Sequence, residues 1–278
     1  ATWQSPPAAK LLLTEIVARP TGAEYIEIYN PNSGDVDLSN YYLANCTFQS
    51  GNTYYYQLVE GGGGGGGFDD FNSRFPDGAI IQTSEYQTVA LQGDSLFFEA
   101  YGVMPTYELF EDGHATPSDA PDMREAVPGS INNQGALTNG DEDVVLYYWN
   151  GFSDLVGDVD YLIYDEGDMG INEQVDKTGV SIDGPDPGTD STMYLPDTPI
   201  ANQVPAPIDN TADGFSSHRI DFTEGSQTTS GGNGVTGADE TSENLDSTWT
   251  DNSVPTPNGE WQPAQGIDDG VAAVPTTY

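Results

Sequence analysis

Short runs of apolar residues, broken every few positions by Gly, Pro, Asn or Asp, dominate the chain. Glu24 to Asn30 reads Glu-Tyr-Ile-Glu-Ile-Tyr-Asn. Ile26 and Ile28 then share one face and Glu27 takes the other, the period of two of a half-buried strand. Leu11 to Val17 and Tyr41 to Leu43 read as strands, as do 78–82, 86–91, 95–101 and 158–164, with 54–59 a further candidate. Residues 143–149 (Asp-Val-Val-Leu-Tyr-Tyr-Trp) are apolar on both faces, as expected of a central strand. No stretch sustains a helical period. Short strands separated by Gly and Pro turns predict an all-β fold, a sandwich of two sheets.

Between the strands lie long polar stretches. Residues 165–215 are mostly Asp, Gly, Pro, Asn and Thr, and 223–248 are similar. Both read as loops laid over the sandwich, with ions as candidate fasteners. Gly61 to Gly67 is a run of seven glycines. It reads as a flexible surface loop, because glycine loses the most backbone entropy on ordering. It lacks the Lys-Ser/Thr ending of a phosphate-binding loop. Pro6 and Pro7 exclude a helix from the first ten residues. The organisation expected is an extended arm over 1–10, a sandwich with insertions over 11–258, and a second extended arm over 259–278. No internal repeat is visible.

Charge narrows the class of partner. Of 278 residues, 45 are Asp or Glu and six are Lys or Arg, a formal net charge of -39. Phosphate backbones and anionic membranes need basic residues, so no nucleic acid partner is expected. Cations are the natural partners, and salt would relieve the self-repulsion of such a surface. With 16 Tyr, 10 Phe and 4 Trp the chain is too aromatic for a disordered acidic tail. A saline or calcium-rich setting is the simplest reading, as in a halophilic protein. Ala1 opens the chain without a Met, as after signal-peptide removal at a small residue, so a secreted, extracellular or cell-surface location is expected. No apolar run approaches the ~20 residues of a transmembrane helix. Cys46 is the sole cysteine and reads as a small buried hydrophobe.

Three segments together carry a family resemblance: Leu12-Leu-Thr-Glu-Ile-Val17, Tyr25-Ile-Glu-Ile-Tyr-Asn-Pro31 and Val36-Asp-Leu-Ser-Asn-Tyr-Tyr-Leu43. They resemble the opening of a lamin-tail domain. Asn139-Gly-Asp-Glu-Asp-Val-Val-Leu146 resembles that family's Asn-Gly-Asp strand entry, and Gly151 through Tyr161 its following strand. Ser217-His-Arg-Ile220 and Trp249 through Pro257 resemble the ending of long bacterial members. The resemblance frames residues 11–257, interrupted by insertions at 46–78 and 102–138 and by the long segment 165–215. It implies an immunoglobulin-like β-sandwich with long acidic insertions, of a kind found in secreted and surface proteins.

Calcium is the ligand the residues favour, since it takes oxygens from carboxylates and turn carbonyls. Three groups stand out: Asp183, Asp186 and Asp190; Asp165 with Glu166 and Asp168; and Asp154, Asp158 and Asp160. None has EF-hand spacing, and solvated acidic loops are the plainer explanation of any one group. Zinc is disfavoured because His114, His218 and Cys46 are scattered. His218 reads as structural and His114 as a loop residue. Tyr54-Tyr-Tyr56 and Tyr147-Tyr-Trp149 fit a sheet core better than a carbohydrate-stacking face. Asn45-Cys46-Thr47 matches a glycosylation acceptor, a short pattern common by chance.

No catalytic constellation emerges. The expected role is a non-catalytic structural subunit that self-assembles into an extracellular filament or surface layer through its arms, with cations between subunits. A cell-surface or polysaccharide-binding module is the first alternative, and a metal-dependent hydrolase on the acidic loops the second.

Overall fold

A computed structural model describes residues 8–45, 47–48, 53–65, 70–111, 119–165, 174–207, 213–223, 227 and 229–259. In chain order the strands are β1 (Leu12–Val17), β2 (Tyr25–Tyr29), β3 (Val36–Asp37), β4 (Tyr41–Ala44), β5 (Thr47–Phe48), β6 (Thr53–Tyr54), β7 (Asn72–Arg74), β8 (Ile80–Ile81) and β9 (Tyr86–Ala90). Helix α1 (Asp94–Tyr101) follows, then β10 (Tyr107–Glu108), β11 (Arg124–Glu125), β12 (Asp141–Tyr148), β13 (Gly157–Asp165), β14 (Ser181–Ile182), β15 (Thr192–Met193) and β16 (Ser216–Arg219). A single turn, α2 (Leu245–Thr248), leads into β17 (Trp249–Ser253).

Two sheets enclose the core. One has six strands in the order β10-β9-β2-β1-β16-β17, and the other five in the order β11-β7-β4-β12-β13. Pairing is antiparallel throughout both, except that β10 runs parallel to β9. Leu13, Ile16, Ile26, Ile28 and Val89 of the first sheet share one buried cluster with Leu43, Val144, Leu146 and Leu162 of the second. The fold is therefore β-rich and sandwich-like. The Tyr54-Tyr-Tyr56 and Tyr147-Tyr-Trp149 groups pack against this cluster, and Tyr147 stacks on Tyr42 with centroids 4.9 Å apart.

The outer face of the six-stranded sheet is covered, which the strand pattern alone did not predict. β1 is buried at all six positions, and Glu27 is only 1% exposed. Two elements cover that face. Over one end lies α1, in a segment expected to be a strand. Phe97 and Tyr101, four residues apart on one face of the helix, meet Tyr25 edge-on at 5.4 and 5.3 Å. Phe97, Val17, Tyr25 and Ala90 form a second buried cluster. Gly93 and Gly102 bound the helix, the latter in the left-handed region at φ 70.

The other cover is the segment 254–259, which runs from β17 back across the sheet. The Thr256 N–H donates to Glu15 Oε1 at 3.0 Å and the Gly259 N–H to Glu27 Oε2 at 3.3 Å. Asn258 Oδ1 then accepts from the Thr88 and Thr106 hydroxyls, both at 2.9 Å, near the far edge.

Two further expectations are corrected. Residues Tyr55–Glu60 form a 3-10 helix and not a strand, ended by Gly61 at φ 77. In the described part of the glycine run, Gly61 and Gly62 are exposed, but Gly63 and Gly65 are packed. Asn72 Nδ2 donates to the Gly63 carbonyl at 2.8 Å, and a Cβ on Gly65 would fall 2.3 Å from the Ser130 carbonyl oxygen. That close approach, with φ +83 at Gly65, is why glycine stands there. Among the described residues no helix is long and apolar enough to cross a membrane.

Candidate functional site

Asp158 and Asp160 lie on β13 at a register shift, opposite Tyr147 and Leu146, and each meets a buried cation. Asp158 accepts from the Tyr55 hydroxyl at 2.6 Å and from Lys177 Nζ at 2.7 Å. Lys177 also reaches Asp197 at 3.0 Å, and its side chain is wholly buried. Burial alone would lower its ammonium, yet the two aspartates hold it above its ordinary value. Asp160 grips Arg219 Nη2 with both oxygens at 2.8 Å and accepts the Leu13 N–H at 2.6 Å. Arg219 also donates to Glu243 and to the Leu13 carbonyl, both at 2.8 Å. Burial raises Asp160 to about 6 against the pull of Arg219. The structure thus uses Asp158 and Asp160 as interior ion-pair partners, a different role from the cation ligation expected of them.

Among the described residues, Asp154, Asp183, Asp186 and Asp190 form no cluster of ligand oxygens. Asp154 accepts from the Gly184 N–H at 3.0 Å and the Thr192 hydroxyl at 2.5 Å, stapling the acidic loop to the β12–β13 hairpin. Asp183, Asp186 and Asp190 are exposed along that loop. The side chain of Asp165 and the whole of Asp168, His114 and Cys46 lie outside the described residues. Asn45 is 2% exposed, and its amide binds the Ala136 carbonyl at 2.9 Å, so it does not present a glycosylation site in the folded protein.

Carboxylates converge elsewhere. Among the described residues, Asp94, Glu108 and Asp119 bring ligand oxygens within 4.8 Å of one another, and so do Glu108, Glu111 and Asp122. Glu108 is common to both groups. It sits on β10, held by the Glu108 N–H to the Pro121 carbonyl at 3.1 Å and the Met123 N–H to the Glu108 carbonyl at 2.7 Å. Its Oε2 accepts the Asp94 N–H at the start of α1, at 2.9 Å. Asp94 Oδ2 in turn accepts the Ala120 N–H at 3.0 Å. Asp94 and Glu108 are each 1% exposed, whereas Glu111, Asp119 and Asp122 open to solvent. Burial lifts Glu108 to about 8, with Asp94 and Asp122 adding to the rise and the Asp94 N–H opposing it. The Glu108 and Asp122 carboxyl oxygens lie within 4.8 Å of each other, close enough for a shared proton or a cation to relieve their repulsion. Among the described residues, the buried Glu108 Oε1 has no donor.

Glu111 and Asp122 also line a cavity of about 180 Å³, together with Phe110, Met123, Asn132 and Asn133. The sequence offered one signal for this site: Glu108-Leu-Phe-Glu111 and Asp119-Ala-Pro-Asp122 repeat an acid-x-x-acid spacing. In a chain with 45 acids that spacing does not stand out.

His218 is buried beneath the 254–259 segment, in line with its structural reading. A polar row crosses the sheet through register partners Thr250, His218, Glu15, Glu27 and Thr88. His218 Nε2 meets Glu15 Oε1 at 3.0 Å and Ser216 Oγ at 2.9 Å. Serine and acid share one ring nitrogen, so the trio lacks the two-sided arrangement of a proton-relay triad.

No family model and no curated protein matches the chain. Its architecture is similar to a crystal structure of a DUF4876 family protein from Bacteroides thetaiotaomicron VPI-5482, with a TM-score of 0.51 and 15% sequence identity. The match covers 93% of this chain and 75% of that one. At that identity the likeness concerns the fold alone.

Proposed function

We propose that the chain is a non-catalytic extracellular structural protein that self-assembles into a filament or surface layer, with calcium-type cations bridging its acidic surfaces. Its sandwich-like sheets are read as the immunoglobulin-like, lamin-tail type that the sequence resembles. One observation carries the proposal: none of the six Lys and Arg side chains is exposed. Lys177 and Arg219 are buried in ion pairs. Arg74 donates to the Ser39 carbonyl at 2.6 Å, Arg124 to the Phe75 carbonyl at 2.7 Å, and Arg19 to the Asn139 carbonyl. Lys10 is half-buried in the field of Glu240 and Asp160. Arg124 also pairs with the exposed Asp77 at 2.7 Å, so the surface carries a large excess of carboxylates with few basic side chains to balance them. Two such surfaces can approach only with salt or bridging cations between them.

A polysaccharide-binding module is the second reading, favoured by the cavity where Phe110, Asn132 and Asn133 adjoin acidic residues. Negative-stain electron microscopy at high salt, with and without a calcium chelator, separates the two. Regular fibres or sheets that disperse on chelation support the structural role. Single particles in both conditions, even at high protein concentration, remove it in favour of a monomeric binding module.

A further inference from the structure

We propose that Asp94, Glu108, Glu111, Asp119 and Asp122 form a site for a hard divalent cation of the calcium type, which ties the start of α1 and the 119–123 segment to strand β10. The site deepens the cation premise of the proposed function but does not need self-assembly. Every donor is a carboxylate oxygen, with neither His nor Cys among them, the ligand set of a hard cation. Calcium holds oxygens at roughly 2.3–2.6 Å, so opposite ligands in one shell stand ~5 Å apart. The ligand atoms within each group here lie within 4.8 Å of one another.

Glu108 supplies the independent pointer. Its Oε1 is buried without a donor among the described residues, in a residue 1% exposed, and a buried oxygen so placed carries a full desolvation cost unless something positive meets it. Among the described residues no Lys or Arg is at hand, since all six are engaged elsewhere. Backbone N–H groups of Asp94 and Ala120 fix the two inner carboxylates before any ion arrives. The exposed Glu111, Asp119 and Asp122 give the ion a way in, and the adjoining cavity leaves room for water in its shell.

The test is calorimetric titration of the chelator-stripped full chain with CaCl2 in ~1 M NaCl, where diffuse attraction to the acidic surface is screened. One saturable site per chain is expected, with a dissociation constant in the range of about 10⁻⁵ to 10⁻³ M. Glu108→Gln should weaken it at least tenfold while leaving the calcium-free melting temperature unchanged or higher. Asp122→Asn, at an exposed position that leaves the core alone, should weaken it as well. Asp186→Asn on the remote acidic loop should leave it unchanged. Absence of a saturable site in the parent protein, or wild-type affinity in both Glu108→Gln and Asp122→Asn, would overturn the proposal and leave a shared proton between Glu108 and Asp122. Saturable binding by dispersed particles would uphold this site and defeat self-assembly. Chelator-sensitive fibres formed equally well by Glu108→Gln would show the converse for assembly, whose bridging ions would then lie elsewhere.

Discussion

Glu27 shows how far one residue can depart from its pattern. It alternates with Ile26 and Ile28 as a solvent-facing strand position should, yet it is buried under the 254–259 segment, opposite Glu15 on β1. Burial, and then the nearby Glu15 carboxylate, raise its pKa to about 9 from an ordinary 4.5. Between those two values the folded protein keeps a proton that the unfolded chain has released. Stability attributable to Glu27 therefore falls as pH rises through that window, by at most ~1.4 kcal/mol per pH unit, and levels off above it. Glu27→Gln keeps the shape and removes the titration. Urea unfolding from pH 5 to 9 at fixed salt should show the wild type losing stability relative to the variant. Parallel profiles would show that Glu27 is ionised in the fold.

Elements formed where local pattern and tertiary demand agreed. The β12–β13 hairpin and the β1, β2 and β9 strands follow the expected runs, because long apolar alternation leaves one stable arrangement. Two segments went the other way. Residues 95–101 are rich in large apolar side chains, which suit a strand, but Gly93 and Gly102 bound an eight-residue helix that puts Phe97 and Tyr101 onto Tyr25. The exposed Leu96 on its other side blurred the helical period. The glycine run likewise hid its purpose, since spacing cannot show which glycines touch backbone. A Cβ on Gly65 would meet the Ser130 oxygen at 2.3 Å, while one on Gly61 would meet nothing within 4 Å, both at positive φ. Gly61→Ala should cost only the left-handed backbone penalty of ~1–2 kcal/mol, and Gly65→Ala clearly more. Chemical denaturation of the pair checks this. Equal losses would mean that the Gly65 contact yields without cost.

At the scale of the molecule, none of the six basic side chains is fully exposed, while the surface carries a large excess of carboxylates. Screening is then the main relief available to the surface. The Debye length shrinks from about 10 Å at 0.1 M to ~3 Å at 1 M salt, so the melting temperature should climb with NaCl. A gain of ~2 kcal/mol would appear as roughly 4–8 °C in a chain of this size class. Differential scanning calorimetry across that range, with sucrose as an uncharged control, distinguishes screening from a general cosolvent effect. A melting temperature flat in NaCl would show that the carboxylates lie too far apart to strain the fold.

The sequence by itself determined the β-rich class, most strand positions, the acidic surface and the structural role of His218, because these follow from periodicity and composition within a few residues. It could not determine which acids become interior partners and which gather into a site. Asp158 and Asp160 look like loop ligands next to Asp154, but Lys177 and Arg219 approach them from 19 and 59 residues away. Glu108, Asp94 and Asp122 gather because α1 and the 119–123 segment dock at one sheet edge. A carboxylate's role is set by the charge and solvent around it, and only the tertiary fold supplies those neighbours.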